Sequence, residues 1–120
     1  MERSRFRRLV QRALDSLPPE IDSYLDNVAI VIEREPGADD LAEAALPSGS
    51  SLFGLYVGTP LVDRSEYHMT LPDRIVIFQG PLERAFYPRE IPAEVRRTVL
   101  HELAHHFGFD EHEMERLDLD

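Results

Sequence analysis

The stretch from Thr98 to Glu111 constrains the chain most, because it contains the motif histidine-glutamate-x-x-histidine. His101 and His105 are slightly more than one helical turn apart, so a helix would project both imidazoles from one face. Two imidazoles at that spacing can hold one metal ion. Glu102 would stand beside them, close enough to reach a water on the ion without being a ligand. The motif therefore predicts a helix across this stretch and a metal site on it.

The residues that flank the motif have the features of a helix. Pro92 suits a first turn, and Glu94 suits the positive end of the helix dipole. Gly108 suits the end of the helix, because glycine readily takes the left-handed conformation. Apolar residues recur at helical spacing at Val95, Val99, Leu100, Leu103, Ala104 and Phe107. A surface helix that carries histidines by chance is the simpler alternative, but four of the five histidines lie between positions 101 and 112.

Glu111 follows Gly108 by three positions and completes the pattern H-E-x-x-H-x-x-G-x-x-E. This is the metzincin arrangement, with glutamate in the place where a third histidine usually stands. We therefore predict Glu111 as the third metal ligand. The alternatives for this ligand are Asp110, His112 and His68.

Other polar residues have weaker claims to a role. His106 lies about 100° around the helix from His105, so we expect it to pack rather than to bind the metal. If the metal site hydrolyses a carbonyl substrate, it needs a partner for the oxyanion, and candidates with the right chemistry are Tyr56, Tyr67 and Arg64. Each of these is more simply explained as a structural residue.

The size and composition of the chain restrict its class. With 120 residues, we expect one domain over residues 1–120. The absence of cysteine excludes disulfides and thiolate metal sites and is compatible with a reducing cytoplasm. The arginine-rich start lacks the apolar segment of a secretory signal, and no apolar run approaches the ~20 residues of a membrane span. We therefore expect a cytoplasmic protein with no membrane association.

The charge balance is acidic, with a net charge of −10, and this argues against nucleic-acid binding. All the basic residues are arginines, and five of them crowd the first predicted helix: Arg3, Arg5, Arg7, Arg8 and Arg12. They could form a partner site, but a solvated helix face is the simpler interpretation.

Periodicity and turn residues predict a small α+β fold. The expected elements are a helix over 2–17, a short helical turn from Pro19, a buried strand over 28–32, and further strands over 52–58 and 74–79. A loop is expected over 34–51 with a brief helical turn at 41–46, a turn at Gly80-Pro81, and a last helix over 111–118. We expect a sheet of three to four strands, packed against the N-terminal helix and the motif helix. Glycines in the second strand suggest a bulge or a close backbone approach, and the edge of this strand could bind an extended peptide.

Three stretches together resemble the minimal zincin-like metallopeptidases, which are small bacterial proteins. They are Leu-His-Glu-Leu-Ala-His-His-Phe-Gly at 100–108, Leu-Pro-Asp-Arg-Ile-Val-Ile-Phe at 71–78, and Gly-Leu-Tyr-Val-Gly-Thr-Pro-Leu at 54–61. The resemblance implies a minimal zincin-like fold and zinc-dependent hydrolysis of peptide bonds. It implies His101 and His105 as zinc ligands and Glu102 as the general base, with an acidic residue often found where Glu111 stands.

These observations predict a zinc metallopeptidase, in which Glu102 activates a zinc-bound water to attack a peptide or protein substrate. The alternative is a non-catalytic metal-binding or peptide-binding module that retains the fold. A glutamate at position 102 favours the enzyme, because a structural site gains nothing from a base there. A structural zinc would also need a fourth protein ligand, which His112 could supply.

Overall fold

The computed structural model describes residues 1–46, 52–58 and 72–116. In chain order its elements are α1 (Arg3–Asp15), a 3₁₀ turn (Pro19–Ile21), α2 (Asp22–Leu25), β1 (Val28–Glu33), α3 (Ala38–Glu43), β2 (Gly54–Val57), β3 (Asp73–Phe78), α4 (Gln79–Ala85), a 3₁₀ turn (Pro88–Glu90), α5 (Ile91–Phe107) and α6 (Glu111–Arg116). None of these helices is both long enough and apolar enough to cross a membrane.

The described strands form one mixed sheet in the order β1-β3-β2. β1 runs parallel to β3, with Val28 opposite Asp73, and β2 runs antiparallel to β3, with Tyr56 opposite Ile75. The predicted α+β class is therefore confirmed, with three strands in the described part of the chain. β2 lies at one edge of this sheet, and that edge is the one nearest α5.

The side chains of β3 point alternately to the two faces of the sheet and divide the apolar core into two clusters. Ile75 and Ile77 are fully buried in a cluster with the apolar residues of α1 and α5. Val76 and Phe78 lie in a second cluster, with Leu55 of β2. Because successive side chains of a strand point to opposite faces, both faces of the central strand are covered.

α1 packs directly against α5 and fixes the position of the motif helix. The side chains that make this layer are buried and recur at helical spacing. They are Phe6, Val10 and Ala13 on α1 and Ile91, Val95, Val99 and Leu103 on α5. The stripe predicted on α5 is therefore the core-facing one, except that Phe107 at the end of α5 is 43% exposed.

Two predictions about the first half of the chain need correction. The apolar run of β1 predicts a buried strand, but among the described strands β1 lies at the edge of the sheet, and only Ile32 in it is buried. The segment after β1 contains the helix α3, which begins earlier than the predicted turn at 41–46. Its start is stabilised because the Gly37 N–H donates to the Asp40 carboxylate at 2.8 Å.

The predicted turn at Gly80-Pro81 is wrong, because these residues lie in the first turn of α4. Pro81 is the third residue of this helix, where a backbone N–H would have no partner inside the helix. Proline therefore loses nothing at this position, and a Gly-Pro pair does not exclude a helix start. The Gly80 N–H donates to the Arg34 carbonyl at 2.8 Å and ties α4 to the end of β1.

Some predicted features fall outside the described residues. They are Arg64, Tyr67, His68 and the end of the predicted last helix beyond Arg116.

Candidate metal centre

The motif lies in the second half of α5, and the ends of this helix follow the predicted signals. Pro92 and Glu94 are in its first turn. Gly108 follows its last residue in the left-handed conformation, with φ 70° and ψ 39°. The Phe109 N–H then donates to the Ala104 carbonyl at 2.9 Å, which closes the end of the helix.

The buried stripe of α5 determines which way the motif faces. Leu100, Leu103 and Ala104 are buried against the sheet and α1. His101 and His105 are therefore on the exposed side of the helix, one turn apart, as predicted from their spacing. Both imidazoles are accessible to an ion from solvent.

Glu102 differs from the two histidines because it is half-buried. Burial raises the pKa of its carboxyl above the ordinary value, while the backbone N–H of Tyr56 and the imidazoles of His105 and His101 partly oppose that rise. Its carboxyl is thus held between α5 and the edge strand β2. A raised pKa is what a general base needs in order to accept a proton near neutral pH.

A cleft of about 480 Å³ opens beside the motif, between α5, β2 and the end of α3. Glu102 and His105 lie in its wall, and His106 continues the same wall. The opposite side is mostly apolar. The remaining lining residues are Glu43, Ala44, Ala45, Leu46, Leu52, Leu55 and Tyr56.

Tyr56 connects β2 to both α5 and β3. Its ring stacks on the His106 imidazole, with 3.8 Å between the centroids and 14° between the planes. Its hydroxyl donates to the Asp73 carboxylate at 2.6 Å, and His106 Nε2 lies 4.0 Å from the same oxygen. His106 therefore packs against Tyr56, as expected, and the Tyr56 hydroxyl is bonded to Asp73. Tyr56 as a partner for the substrate oxyanion stays a prediction.

β2 approaches α5 so closely at Gly54 that a larger residue there would force the two elements apart. A Cβ at Gly54 would lie 2.5 Å from Thr98 Cγ2 and 3.1 Å from the Val76 carbonyl oxygen. The predicted close backbone approach is confirmed here. It brings the next residues of the strand, Leu55 and Tyr56, to the wall of the cleft.

The possible third ligands that follow Gly108 differ in their hydrogen bonds and in their position on α6. Asp110 caps α6, because its Oδ1 accepts a hydrogen bond from the Glu113 N–H at 2.8 Å. Glu111 and His112 follow it on the exposed surface of α6. Within the described ranges, no three His, Asp or Glu side chains are gathered so that they could hold a metal ion together. Glu111 as the third ligand stays a prediction.

The donor atoms of the residues around the motif are of the types that bind zinc. Imidazole nitrogens and carboxylate oxygens are its usual donors beside thiolates, and a catalytic site needs three protein ligands with one position open. α5 carries two candidate imidazole ligands, His101 and His105, on its exposed side. Candidates for the third lie in the segment directly after the helix.

Sequence reasoning missed Glu43, Asp73 and the role of Asp110. Glu43 reaches the cleft only because α3 folds over the sheet, and nothing in the pattern around it signals this. Asp73 joins the site through the pairing of β2 with β3. Asp110 did have a signal: Asp-x-x-Glu at 110–113 is a pattern of helix starts.

Comparison with known proteins agrees with the geometry. A sequence profile described as zincin-like metallopeptidase matches residues 25–120. No curated protein sequence matches the chain. The chain is similar to a solved structure, a conserved hypothetical protein from Thermus thermophilus, with a TM-score of 0.59 and 24% identity, covering 86% of this chain and 91% of that one. This likeness supports the fold alone.

Proposed function

Because the chain belongs to the family of zincin-like metallopeptidases, we propose that it is a zinc-dependent metallopeptidase that hydrolyses peptide bonds. The observation that carries the proposal is the arrangement on α5. His101 and His105 are exposed one turn apart, while Glu102 between them is half-buried at the cleft. If these charged residues served only solubility, the Glu102 carboxyl would be expected on the exposed face of α5 and not at the cleft.

The roles follow from the positions of the side chains. His101 and His105 would hold the ion, with Glu111 as the third ligand. When bound, zinc would supply Lewis acidity and lower the pKa of a water to about 7. Glu102 would accept the proton of the attacking water and return it to the leaving amine. The raised pKa of Glu102 suits both transfers, because the protonated form must be accessible between them.

The edge strand gives the substrate a place to bind. Among the described strands β2 pairs only with β3. Its other side, where the Tyr56 N–H meets the Glu102 carboxyl, runs along the cleft wall formed by Leu55 and Tyr56. An extended peptide could add to such an edge by backbone hydrogen bonds, with its side chains against the apolar wall. A shallow cleft of this size favours short or unfolded peptides as substrates. With no cysteine in the chain, we propose a cytoplasmic location for this activity.

The alternative function is a metal-binding or peptide-binding module without turnover. The observation that favours it is that no three potential ligands are gathered in the described part of the chain. The half-buried Glu102 favours the enzyme, and the two functions predict different results in one experiment.

The experiment is cleavage of a peptide library by the zinc-loaded chain, beside Glu102→Gln, with the zinc content of both measured. Glutamine keeps the shape of the side chain but accepts no proton. The metallopeptidase predicts cleavage by the wild type and a loss of at least about a hundredfold in Glu102→Gln at equal zinc content. Equal zinc in both proteins with no cleavage by either would instead support the module.

A further inference from the structure

A second groove lies between α1 and the segment that leads into α5, away from the motif. Its volume is about 590 Å³. Four arginines line it, together with Leu9, Tyr87, Pro88 and Pro92; the arginines are Arg5, Arg8, Arg12 and Arg89. We call this the arginine groove. Arg89 comes from a 3₁₀ turn far from α1 in sequence, so the cluster is a product of the fold and not only of one arginine-rich helix.

The four guanidinium groups have no acidic partner in the described part of the chain. The ion pairs there involve other arginines, such as Arg84 with Glu35 and Arg97 with Glu94. The nearest acidic neighbour in sequence, Glu90, accepts a hydrogen bond from the Tyr87 N–H at 2.9 Å and so caps its own turn. This concentration of unpaired positive charge occurs in a chain whose net charge is −10.

The groove also exposes an aromatic ring. Tyr87 is 66% exposed, and the guanidinium of Arg89 lies 5.0 Å from the centre of its ring. This cation-π contact holds the guanidinium group over the ring. Exposed tyrosine and arginine together are the residue types enriched where proteins bind partners.

We propose that the arginine groove binds a short acidic segment of a partner protein. Guanidinium groups present paired N–H donors that match a carboxylate, so aspartate and glutamate side chains fit the arginines, while Tyr87 and the two prolines offer an apolar surface to the rest of the segment. A groove of this volume holds only a few side chains at once.

The charge distribution favours a short peptide over nucleic acid. Electrostatic interactions are screened beyond about 8–10 Å at physiological salt, so a short segment in the groove feels mainly the arginines. A longer polyanion would extend beyond the groove over a chain that has 23 acidic residues against 13 arginines. The same acidic excess would repel it there.

This site is separate from the metal centre. Pro92 precedes His101 by nine positions, which is about 14 Å along an α-helix and half a turn around it. A ligand in the arginine groove would therefore lie across α5 from the motif. The inference does not depend on the proposed peptidase activity.

The test is a fluorescence-anisotropy titration of the full chain with a labelled peptide of alternating glutamate and serine. We expect saturable binding that weakens about tenfold or more in the double variant Arg8→Gln with Arg12→Gln, because two charge-assisted contacts are lost. The matched control is Arg7→Gln with Arg116→Gln, which changes the net charge equally at exposed positions outside the groove. It should bind as the wild type does. Circular dichroism would verify that all variants are folded.

Four outcomes would overturn the proposal. The first is no binding at low salt, and the second is equal weakening in the two double variants. The third is tighter groove-dependent binding of a labelled oligothymidylate of the same length, which would identify nucleic acid as the ligand. The fourth is self-association through the groove, which sedimentation of the wild type at rising concentration would detect. Self-association that Arg8→Gln with Arg12→Gln abolishes, without binding of the peptide, would assign the groove to a second copy of the chain.

Discussion

The ring of Tyr56 stacks on the imidazole of His106, with 3.8 Å between their centroids. Through this contact the edge strand β2 is held against α5 at the residue next to His105. The Tyr56 hydroxyl is in turn bonded to Asp73 on the central strand. The Tyr56 side chain therefore connects the central strand of the sheet to the motif helix at the wall of the cleft.

Replacing either motif histidine should abolish metal binding. We expect about one zinc per chain in the wild type and none in His101→Ala or His105→Ala, because a catalytic site cannot lose one of its three protein ligands. His106→Ala is the matched control, since its imidazole stacks on Tyr56. Elemental mass spectrometry after zinc loading and removal of free metal measures the content. Full zinc content in His101→Ala would refute the predicted site.

Replacing Glu111 should change zinc binding, whereas replacing Asp110 should change the stability of the fold. Glu111→Ala should lose zinc but leave the stability of the metal-free chain nearly unchanged, since the residue is exposed. Asp110→Ala should keep zinc and destabilise by about 1 kcal/mol, because α6 loses the cap on the Glu113 N–H. Zinc content and urea unfolding of the metal-free proteins measure the two effects. Zinc lost in Asp110→Ala and retained in Glu111→Ala would reverse the assignment. His112→Ala tests the remaining described alternative in the same assay.

Tyr56→Phe should reduce stability in a way that depends on pH. The variant keeps the ring that stacks on His106 but loses the bond to Asp73, for which we expect about 1–2 kcal/mol at neutral pH. Burial first, and then the bond to Asp73, raise the pKa of Tyr56 above its ordinary value of 10.0. The stabilisation is therefore complete below pH 10 and decreases as the pH rises above it, because the unfolded tyrosine ionises first.

Urea unfolding at neutral pH and above pH 10 checks this prediction for Tyr56. The difference between the wild type and Tyr56→Phe should shrink at the higher pH. Tyr87→Phe is the control, because Tyr87 is largely exposed and its loss should change little at neutral pH. A difference that stays constant across the range would show that the hydroxyl does not titrate as the contact with Asp73 requires.

Gly54→Ala should destabilise the fold by about 1–3 kcal/mol through overpacking. The new Cβ would lie 2.5 Å from Thr98 Cγ2, so β2 would have to move away from α5. Adding Thr98→Ser should recover part of the loss, because serine lacks that methyl group but can keep the bond that Thr98 donates to the Glu94 carbonyl. Gly58→Ala is the control, with 4.0 Å to its nearest heavy atom. Thermal unfolding of the wild type, the two Gly54→Ala proteins and Gly58→Ala measures these effects. A Gly54→Ala protein as stable as the wild type would contradict the close packing.

The local elements are largely predictable from the sequence because their causes are local. The ends of α5 follow from Pro92 and Gly108, and its direction follows from the buried stripe that includes Val99 and Leu103. The apolar run predicts β3 to within one residue, because a run of branched apolar residues has few other solutions. The position of β1 at the sheet edge is not predictable, since an apolar run does not specify which strands will pair beside it.

The sequence by itself determined the motif helix and the side of it on which His101 and His105 lie, because helical spacing alone sets which side chains share a face. Only the tertiary structure decided what surrounds them. The pairing of β2 with β3 carries Tyr56 to His106 and Asp73, and α3 brings Glu43 to the cleft. Likewise, the approach of Arg89 to the arginines of α1 depends on how α1 packs on α5. Contacts between residues distant in sequence arise from packing, and no local pattern records them.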